Sequence, residues 1–213
     1  MIKLCNRKRC LLIGNIAFTL LILSIIVYVI MPRGTAVTLS LIEFDDFSGI
    51  VQDGDIICRL GDRFWSQHFR DASITDRRFS HMGIVRINNG VITVIHTEGN
   101  TGHGIDYVNE IPIEIFIKIA RTVGIYRTNG LEGSKISNLA IEYLGVPFDW
   151  QIDMYDDSKL YCTELLYVIL KRLVPEIELN TIYINRLGKN VIPLDAISNS
   201  EYFSEIYFIN TNK

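Results

Sequence analysis

Residues 79–98 read Phe-Ser-His-Met-Gly-Ile-Val-Arg-Ile-Asn-Asn-Gly-Val-Ile-Thr-Val-Ile-His-Thr-Glu. The Asn-Gly pair at 89–90, between two runs rich in β-branched residues, is the strongest short signal for a β-hairpin. A two-residue turn there pairs Asn88 with Val91, and because side chains alternate along a strand, this register fixes which residues share a face. One face then carries two histidines, a glycine and a carboxylate: His81, Gly83, His96 and Glu98. The hairpin therefore predicts a polar cluster in which the two histidines are diagonal neighbours.

A second informative stretch is the helix predicted from Cys162 to Leu173, which ends before Pro175. Its leucines and isoleucines recur at helical spacing, and Cys162 lies on the same apolar stripe. A cysteine in such a stripe is most often a small buried side chain. In the first turn of a helix, however, free amide groups and the helix dipole favour a thiolate. The spacing alone leaves both interpretations open.

The order of five short motifs resembles the YaeF/YiiX group of permuted papain-like hydrolases, which are relatives of the NlpC-type cell-wall endopeptidases. The motifs lie at residues 54–57, 79–84, 143–149, 161–166 and 188–194. The histidine strand precedes the cysteine helix, the reverse of the order in papain. The resemblance implies an α+β, circularly permuted papain-like (NlpC-type) fold with an antiparallel sheet packed on helices, and the lack of regular βαβ alternation agrees with it. Residues 111–127 are predicted as further strand.

The resemblance also implies a catalytic triad. Cys162 is expected to be the nucleophile, His81 its general base, and His96 the third member that orients the imidazole. Relatives of this type place a glutamate at the position of His96, whereas NlpC-type enzymes place a histidine there. Glu98 is a rival for the same role, since it shares the face.

Two further residues flank the cysteine within the matched motif. Tyr161 is expected either to help bind an oxyanion or to bury its ring, and Glu164 to support the reaction or to stabilise the helix N-terminus.

The predicted reaction is cleavage of an amide bond, in a peptide or a peptidoglycan stem, through a thioester on Cys162. One alternative is a lipid-directed acyl hydrolase or acyltransferase, with Phe64, Trp65 and Phe69 lining an acyl site or forming plain core. Another is a non-catalytic binding module, which a Cys58–Cys162 disulfide would favour.

The N-terminal region predicts membrane attachment. Residues 1–10 are basic, and residues 11–31 are apolar without any charge. A helix of that length spans about 30 Å, the thickness of a hydrocarbon core. The run is longer than a cleaved signal sequence and lacks a good cleavage site, so a permanent single-pass anchor is expected. The positive-inside rule then leaves the N-terminus cytoplasmic and the domain at 53–213, after a linker at 32–52, on the extracytoplasmic side.

The net charge of the chain and the spacing of its cysteines limit the classes of ligand and partner that we expect. Outside residues 1–10 the chain has 17 basic against 24 acidic residues, a balance that disfavours nucleic acid. No cofactor is predicted. The four cysteines lack metal-type spacing, and although His81, His96, His103 and Glu98 include zinc-type donors, they form no recognised metal motif. The expected partners are the membrane and a peptide, peptidoglycan or lipid acyl substrate.

Overall fold

The computed structural model of the chain describes residues 41–61, 69–99, 106–185 and 187–211. A six-stranded antiparallel sheet forms its centre. Its strands are β1 (Ile56–Gly61), β2 (His81–Asn88), β3 (Val91–His96), β4 (Asn109–Pro112), β5 (Ala120–Thr128) and β8 (Phe203–Asn210). Their order across the sheet is β4-β3-β2-β1-β5-β8. A separate two-stranded sheet contains β6 (Ile182–Ile184) and β7 (Lys189–Val191). The predicted mixture of helices with an antiparallel sheet is confirmed.

Both faces of the large sheet are covered. The helices are α1 (Ile113–Ile117), α2 (Gly133–Ile141), α3 (Cys162–Leu173) and α4 (Asp195–Ser198). Helices α2 and α3 pack together against β2 on one face, where buried side chains such as Met82 and Leu166 form the first core layer. Helix α1 packs on the other face, where residues such as Val85 and Phe116 form the second layer.

Alternation along β1 shows how the sheet separates these layers. Ile56 and Cys58 belong to the first layer, whereas Ile57 belongs to the second. The guanidinium of Arg59 also lies on the second face, with its Cζ 4.5 Å from the centre of the Phe116 ring. Since both faces are buried, the strands read as nearly continuous apolar runs rather than as alternating ones.

The hairpin formed by β2 and β3 has the predicted register, with Asn88 opposite Val91 and Ile84 opposite Ile95. Asn89 and Gly90 both have positive φ, at 51° and 79°, as a two-residue turn of this kind requires. The helix predicted to begin at Cys162 also has the expected bounds.

Residues 111–127 are not all strand. Helix α1 interrupts them after Pro112, despite its β-branched residues. Ile113, Phe116 and Ile117 have the spacing of one helical face and are all buried in the second layer. This burial outweighs the local strand propensity.

The N-terminal part of the chain is described only from residue 41. Ile42, Phe47 and Val51, which fall in the segment predicted as a linker, are buried in the second core layer. The anchor predicted at residues 11–31 lies outside the described residues. Among the helices that the structure does describe, none has the length and apolar character needed to cross a bilayer.

Candidate active site

Cys162 is the first residue of α3 and is only 7% exposed. Its neighbours in the first core layer are apolar, and burial raises the pKa of its thiol to about 12. The backbone N–H groups of Met82, Thr163 and Cys162 itself act in the opposite direction and lower the pKa. The helix start therefore favours the thiolate, as expected, but desolvation has the larger effect. The thiol is protonated at neutral pH in this arrangement.

The two histidines of the hairpin are in direct contact. His81 Nε2 and His96 Nδ1 are 2.9 Å apart, within hydrogen-bonding distance. Both side chains are buried, at 6% and 5% exposure. Gly83 makes room for them, since a Cβ there would lie 2.3 Å from Val94 Cγ1 and 3.0 Å from His96 Cβ. The predicted histidine pair is confirmed.

Phe116 organises the surroundings of this pair. The His81 ring stacks on it with a centroid separation of 5.5 Å, and the His96 ring meets it edge-on at 5.3 Å. Arg59 donates from Nη1 to the carbonyl oxygen of Phe116 and from Nη2 to Glu98 Oε2, the latter at 2.8 Å. Glu98 is thus held by an arginine, while His96 contacts His81. This geometry favours His96 over Glu98 as the residue that orients His81.

Burial determines the charge of the histidines. It lowers the pKa of His81 well below its ordinary value, and the Arg59 guanidinium lowers it further. The pKa of His96 is lowered by burial, by His81 and by Arg59, and only Glu98 opposes the change. Both imidazoles are neutral at pH 7. Among the described residues, His96 Nε2 is a buried nitrogen without a hydrogen-bond partner.

Cys162 and His81 have contacts in different core layers. Cys162 lies in the first core layer together with Met82, whereas His81 packs on Phe116, which belongs to the second. Consecutive residues of β2 point to opposite faces, so Met82, rather than His81, is directed towards α3. No hydrogen bond joins Cys162 to either histidine in the described part of the chain. The Met82 N–H nevertheless acts on the sulfur, so the sulfur lies beside the backbone of β2, one residue from His81, and the expected pair of Cys162 and His81 stays a prediction.

Tyr161 and Glu164 stabilise the start of α3. Glu164 accepts a hydrogen bond from the Tyr161 backbone N–H at 3.2 Å, so its expected role at the helix N-terminus is confirmed. Burial raises the pKa of Glu164 to about 8, and the carboxylates of Asp149, Asp157 and Asp153 add to the rise. The Tyr161 hydroxyl accepts a hydrogen bond from the Ile192 N–H at 3.0 Å.

A small cavity adjoins Cys162 and was not predicted as such. Its volume is about 40 Å³, and its wall comes mainly from Phe69, Ala72 and residues 161–163 and 191–194. Most of the surface of this wall is apolar. Phe69, suggested above for an acyl site, is part of it, whereas Phe64 and Trp65 lie outside the described residues. The cavity joins segments far apart in sequence, so only the apolar character of the Phe69 segment hinted at it.

Cys58 and Cys162 are both free thiols, so the disulfide that would favour a binding module is not formed. Cys58 is fully enclosed in the first core layer. Burial raises the pKa of Cys58 well above its ordinary value, and the nearby Cys162 adds to this rise. Cys58 is therefore an inert neighbour of Cys162.

His81, His96 and Glu98 are the described residues with donors close enough for a metal ion, with all three donor atoms within 4.8 Å of one another. Two imidazoles and a carboxylate are zinc-type ligands. Their present bonds do not fit a metal, because the imidazoles contact each other and Glu98 is paired with Arg59. The guanidinium that disfavours protonated histidines would repel a metal cation in the same place. His103 lies outside the described residues.

Comparison with known proteins identifies the family. The crystal structure described as the metalloprotein YiiX from Escherichia coli O157:H7 is similar to this fold, with a TM-score of 0.61 and 18% sequence identity. The similarity covers 73% of this chain and 96% of the YiiX chain. No curated protein gives a significant sequence match. The profile of the permuted papain-like amidase enzymes, YaeF/YiiX, C92 family, matches residues 50–198, and the chain therefore belongs to this family.

Proposed function

We propose that the chain is a cysteine amidase in which Cys162 forms a thioester with the acyl part of its substrate. The observation that supports this most directly is the position of Cys162, at the start of α3 and in the wall of a cavity. Three backbone N–H groups act on its sulfur. Such groups also stabilise an oxyanion formed beside the sulfur. Membership of an amidase family supports the same chemistry.

The reaction has two steps. The Cys162 thiol gives its proton to a base, and the sulfur attacks the carbonyl carbon. The C–N bond then breaks, and the amine leaves with a proton. Water attacks the resulting thioester, the C–S bond breaks, and a carboxylic acid is released while the thiol is restored.

We assign the base role to His81, with His96 as the residue that orients it. The motif at residues 79–84 supports this assignment, and so does the contact between His81 Nε2 and His96 Nδ1. Proton transfer from Cys162 to His81 then takes place at the start of β2, where the N–H of Met82, the residue after His81, acts on the sulfur. No step is assigned to a metal, although the YiiX relative is described as a metalloprotein.

The substrate proposals follow the sequence. An amide of a peptide or of a peptidoglycan stem is the first candidate, with the domain tethered to a membrane by residues 11–31 and held on its extracytoplasmic side. A lipid acyl chain is the second candidate, and the apolar wall of the cavity beside Cys162 specifically favours it.

An acyl-enzyme trap tests the proposal. The full-length protein is incubated with fragmented cell envelope and, separately, with mixed lipids, and the intact mass and the modified peptide are then determined. We expect an acyl adduct on Cys162 that disappears in Cys162→Ala and persists in Cys58→Ala, the matched control from the same core layer. An adduct that survives Cys162→Ala, or no adduct from either source, would refute the thioester mechanism.

A further inference from the structure

We propose that Asn109 is a positioning residue of the active site, which fixes the tautomer of His96 through one bound water molecule. This inference rests on the roles proposed above for Cys162, His81 and His96. Its starting point is a pair of buried polar atoms, His96 Nε2 and Asn109 Oδ1, which have no hydrogen-bond partner within the part of the chain that the structure describes. Buried polar atoms without a partner are rare in folded proteins and require an explanation.

The two atoms belong to residues that face each other across β3 and β4. His96 and Asn109 are directly paired in the antiparallel ladder, and side chains at such positions project from the same face, with Cβ atoms about 4.5–5.5 Å apart. His96 is only 5% exposed. Asn109 is partly exposed as a residue, but its amide oxygen is buried. The oxygen therefore points towards the interior, on the side where His96 lies.

The tautomer of His96 makes the two atoms complementary. Burial lowers the pKa of both histidines, so each ring is neutral and carries one proton. When His96 Nδ1 accepts from His81 Nε2, the proton of His96 is on Nε2, which is then a donor, whereas Asn109 Oδ1 is an acceptor. One water that accepts from Nε2 and donates to Oδ1 satisfies both atoms. Strand β4 lies at an edge of the described sheet, so water reaches this position from solvent.

The tautomer of His96 decides which nitrogen of His81 is the base. With the His96 proton on Nε2, His81 donates from Nε2 and keeps its Nδ1 free to take the proton of Cys162. With the His96 proton on Nδ1, the hydrogen bond between the rings reverses, and His81 carries its own proton on Nδ1, where it cannot act as the base. By holding the first tautomer, Asn109 keeps the proposed base in its active form.

Glu98 is the competing acceptor for the His96 proton. Its carboxylate lies within 4.8 Å of a ring nitrogen of each histidine, but it does not accept from His96 Nε2. Its Oε2 already accepts from Arg59 Nη2 at 2.8 Å. A neutral amide, unlike a carboxylate, also adds no charge that would favour an imidazolium. These differences favour Asn109 as the partner of a neutral His96.

Nitrogen NMR of the full-length protein with labelled histidine measures the tautomer, since the protonated and unprotonated nitrogens of a neutral ring have well-separated shifts. The chain has four histidines, and His81→Gln and His96→Gln assign the two relevant rings. We expect the wild type at pH 7 to carry the His96 proton on Nε2. Asn109→Leu should populate both tautomers, whereas Asn109→Asp, which keeps the acceptor oxygen, should retain the first. Asn190→Leu, the same substitution at an exposed strand position, is the control.

Acylation of Cys162 by 4-nitrophenyl acetate provides the second readout. We expect Asn109→Leu to be acylated about tenfold more slowly, which is the effect of losing one hydrogen bond, and Asn109→Asp to regain most of the rate. Asn190→Leu should react like the wild type. If the leucine variant does not fold, Asn109→Ala removes the same acceptor with less bulk. A purely structural role of Asn109 would lower stability but change neither the tautomer nor the rate.

The outcomes separate this inference from the mechanism on which it rests. A wild-type His96 protonated on Nδ1, or a tautomer that is unchanged in Asn109→Leu, overturns the role of Asn109. A tautomer that changes in Glu98→Gln instead would assign that role to Glu98. A changed tautomer without slower acylation shows that Asn109 binds His96 but does not position the base, which also overturns the proposal. If the wild type shows the expected tautomer but Cys162 is not acylated, the thioester mechanism fails and the contact of Asn109 with His96 stands.

Discussion

The two faces of the sheet around β1, β2 and β3 hold the two reactive groups in different settings. On the face towards α3, Cys162 lies in an apolar layer beside a small apolar cavity. On the opposite face, His81 and His96 contact each other, and Arg59 is paired with Glu98 next to them. The nucleophile and the proposed bases thus have different surroundings, although the Met82 N–H that acts on the sulfur directly follows His81 in β2.

Burial makes the reactive groups of both faces neutral, but the charges around them differ. The pKa of Cys162 is raised to about 12 by burial, against the effect of backbone N–H groups. The pKa of His81 is lowered by burial and by the Arg59 guanidinium. An ion pair between a thiolate and an imidazolium is thus disfavoured twice. These shifts predict an enzyme whose cysteine is unreactive until substrate binds.

The largest expected effect is on the reactivity of Cys162. At pH 7 we expect its alkylation by iodoacetamide to be about a thousandfold slower than that of a cysteine in an unstructured peptide, because a pKa of about 12 leaves very little thiolate. The rate should rise about tenfold per pH unit from pH 8 to 11. Peptide-resolved mass spectrometry distinguishes Cys162 from the other three cysteines.

The opposite result would change the comparison. Rapid alkylation at pH 7 that His81→Ala abolishes would mean that the sulfur and the imidazole form an ion pair in solution. In that case the predicted pair of Cys162 and His81 is already formed without substrate. An unstructured cysteine peptide in the same tube controls for reagent decay and for the pH dependence of the reagent itself.

The second prediction concerns the charged network on the histidine face. Arg59→Met removes a cation that is only 3% exposed and leaves Glu98 and the Phe116 carbonyl without their donor. We expect the free energy of unfolding to fall by about 3 kcal/mol. Urea denaturation measures it. Arg172→Met removes the exposed pair with Glu142 and should leave the midpoint unchanged. If the midpoint of Arg59→Met is unchanged, the ion pair of Arg59 with Glu98 makes no net contribution to the free energy of unfolding.

The hairpin and the position of the nucleophile show how far the sequence predicts this site. Asn89 and Gly90 fix the turn, and the turn fixes the register, so the contact of His81 with His96 follows from local chemistry. Which face α3 covers does not follow. Met82 and Val85 are apolar residues on opposite faces of β2, and both are buried. The alternation of side chains along β2 predicts which residues share a face. Because both faces are buried, it does not predict which face packs against α3.

Two other features depend on contacts between distant parts of the chain. Phe116 separates and aligns the polar groups of the histidine face, but it lies in α1, whose β-branched residues predict strand. The cavity beside Cys162 is lined by Phe69 and Ala72 and by residues 191–194, which lie more than a hundred positions further along the chain. Local propensity carries no information about such contacts. The hairpin register and the motif similarity indicated the residues of the site, whereas the contacts with Phe116 and the cavity follow only from the fold.

The third prediction is that the two histidines lower the stability of the fold at acid pH, whereas Cys162 lowers it at alkaline pH. Because the pKa of His81 and of His96 is lowered in the folded protein, the unfolded chain binds more protons below its histidine pKa of about 6.5. Stability should therefore fall as the pH drops below that value, by up to about 1.4 kcal/mol per pH unit for each histidine. For Cys162, whose pKa is raised, stability should fall as the pH rises above about 8.5.

Paired variants separate these two limits. Urea denaturation from pH 4.5 to 10 measures the free energy of unfolding in both ranges. Below about pH 6.5, the stability of His96→Leu should fall less steeply than that of the wild type. The stability of Cys162→Ala should fall less steeply only above about pH 8.5. If the stability of His96→Leu falls as steeply at acid pH as that of the wild type, the buried histidines take up protons without unfolding. That result would mean that water already reaches the histidine face.

The smallest expected effect is that of zinc on the wild type. His81, His96 and Glu98 offer donors of the right chemistry, and neutral imidazoles bind zinc readily. Arg59, however, holds Glu98 at 2.8 Å and places a positive charge where the metal would lie. We expect equimolar zinc to shift the thermal midpoint of the wild type by less than about 1 °C and Arg59→Met to gain a larger shift, because the substitution frees the carboxylate and removes the repulsion. Metal analysis after dialysis provides the second measurement. One zinc ion retained by the wild type and lost in His81→Ala would show that the histidine face is a metal site, and His81 would then serve as a metal ligand rather than as the base for Cys162.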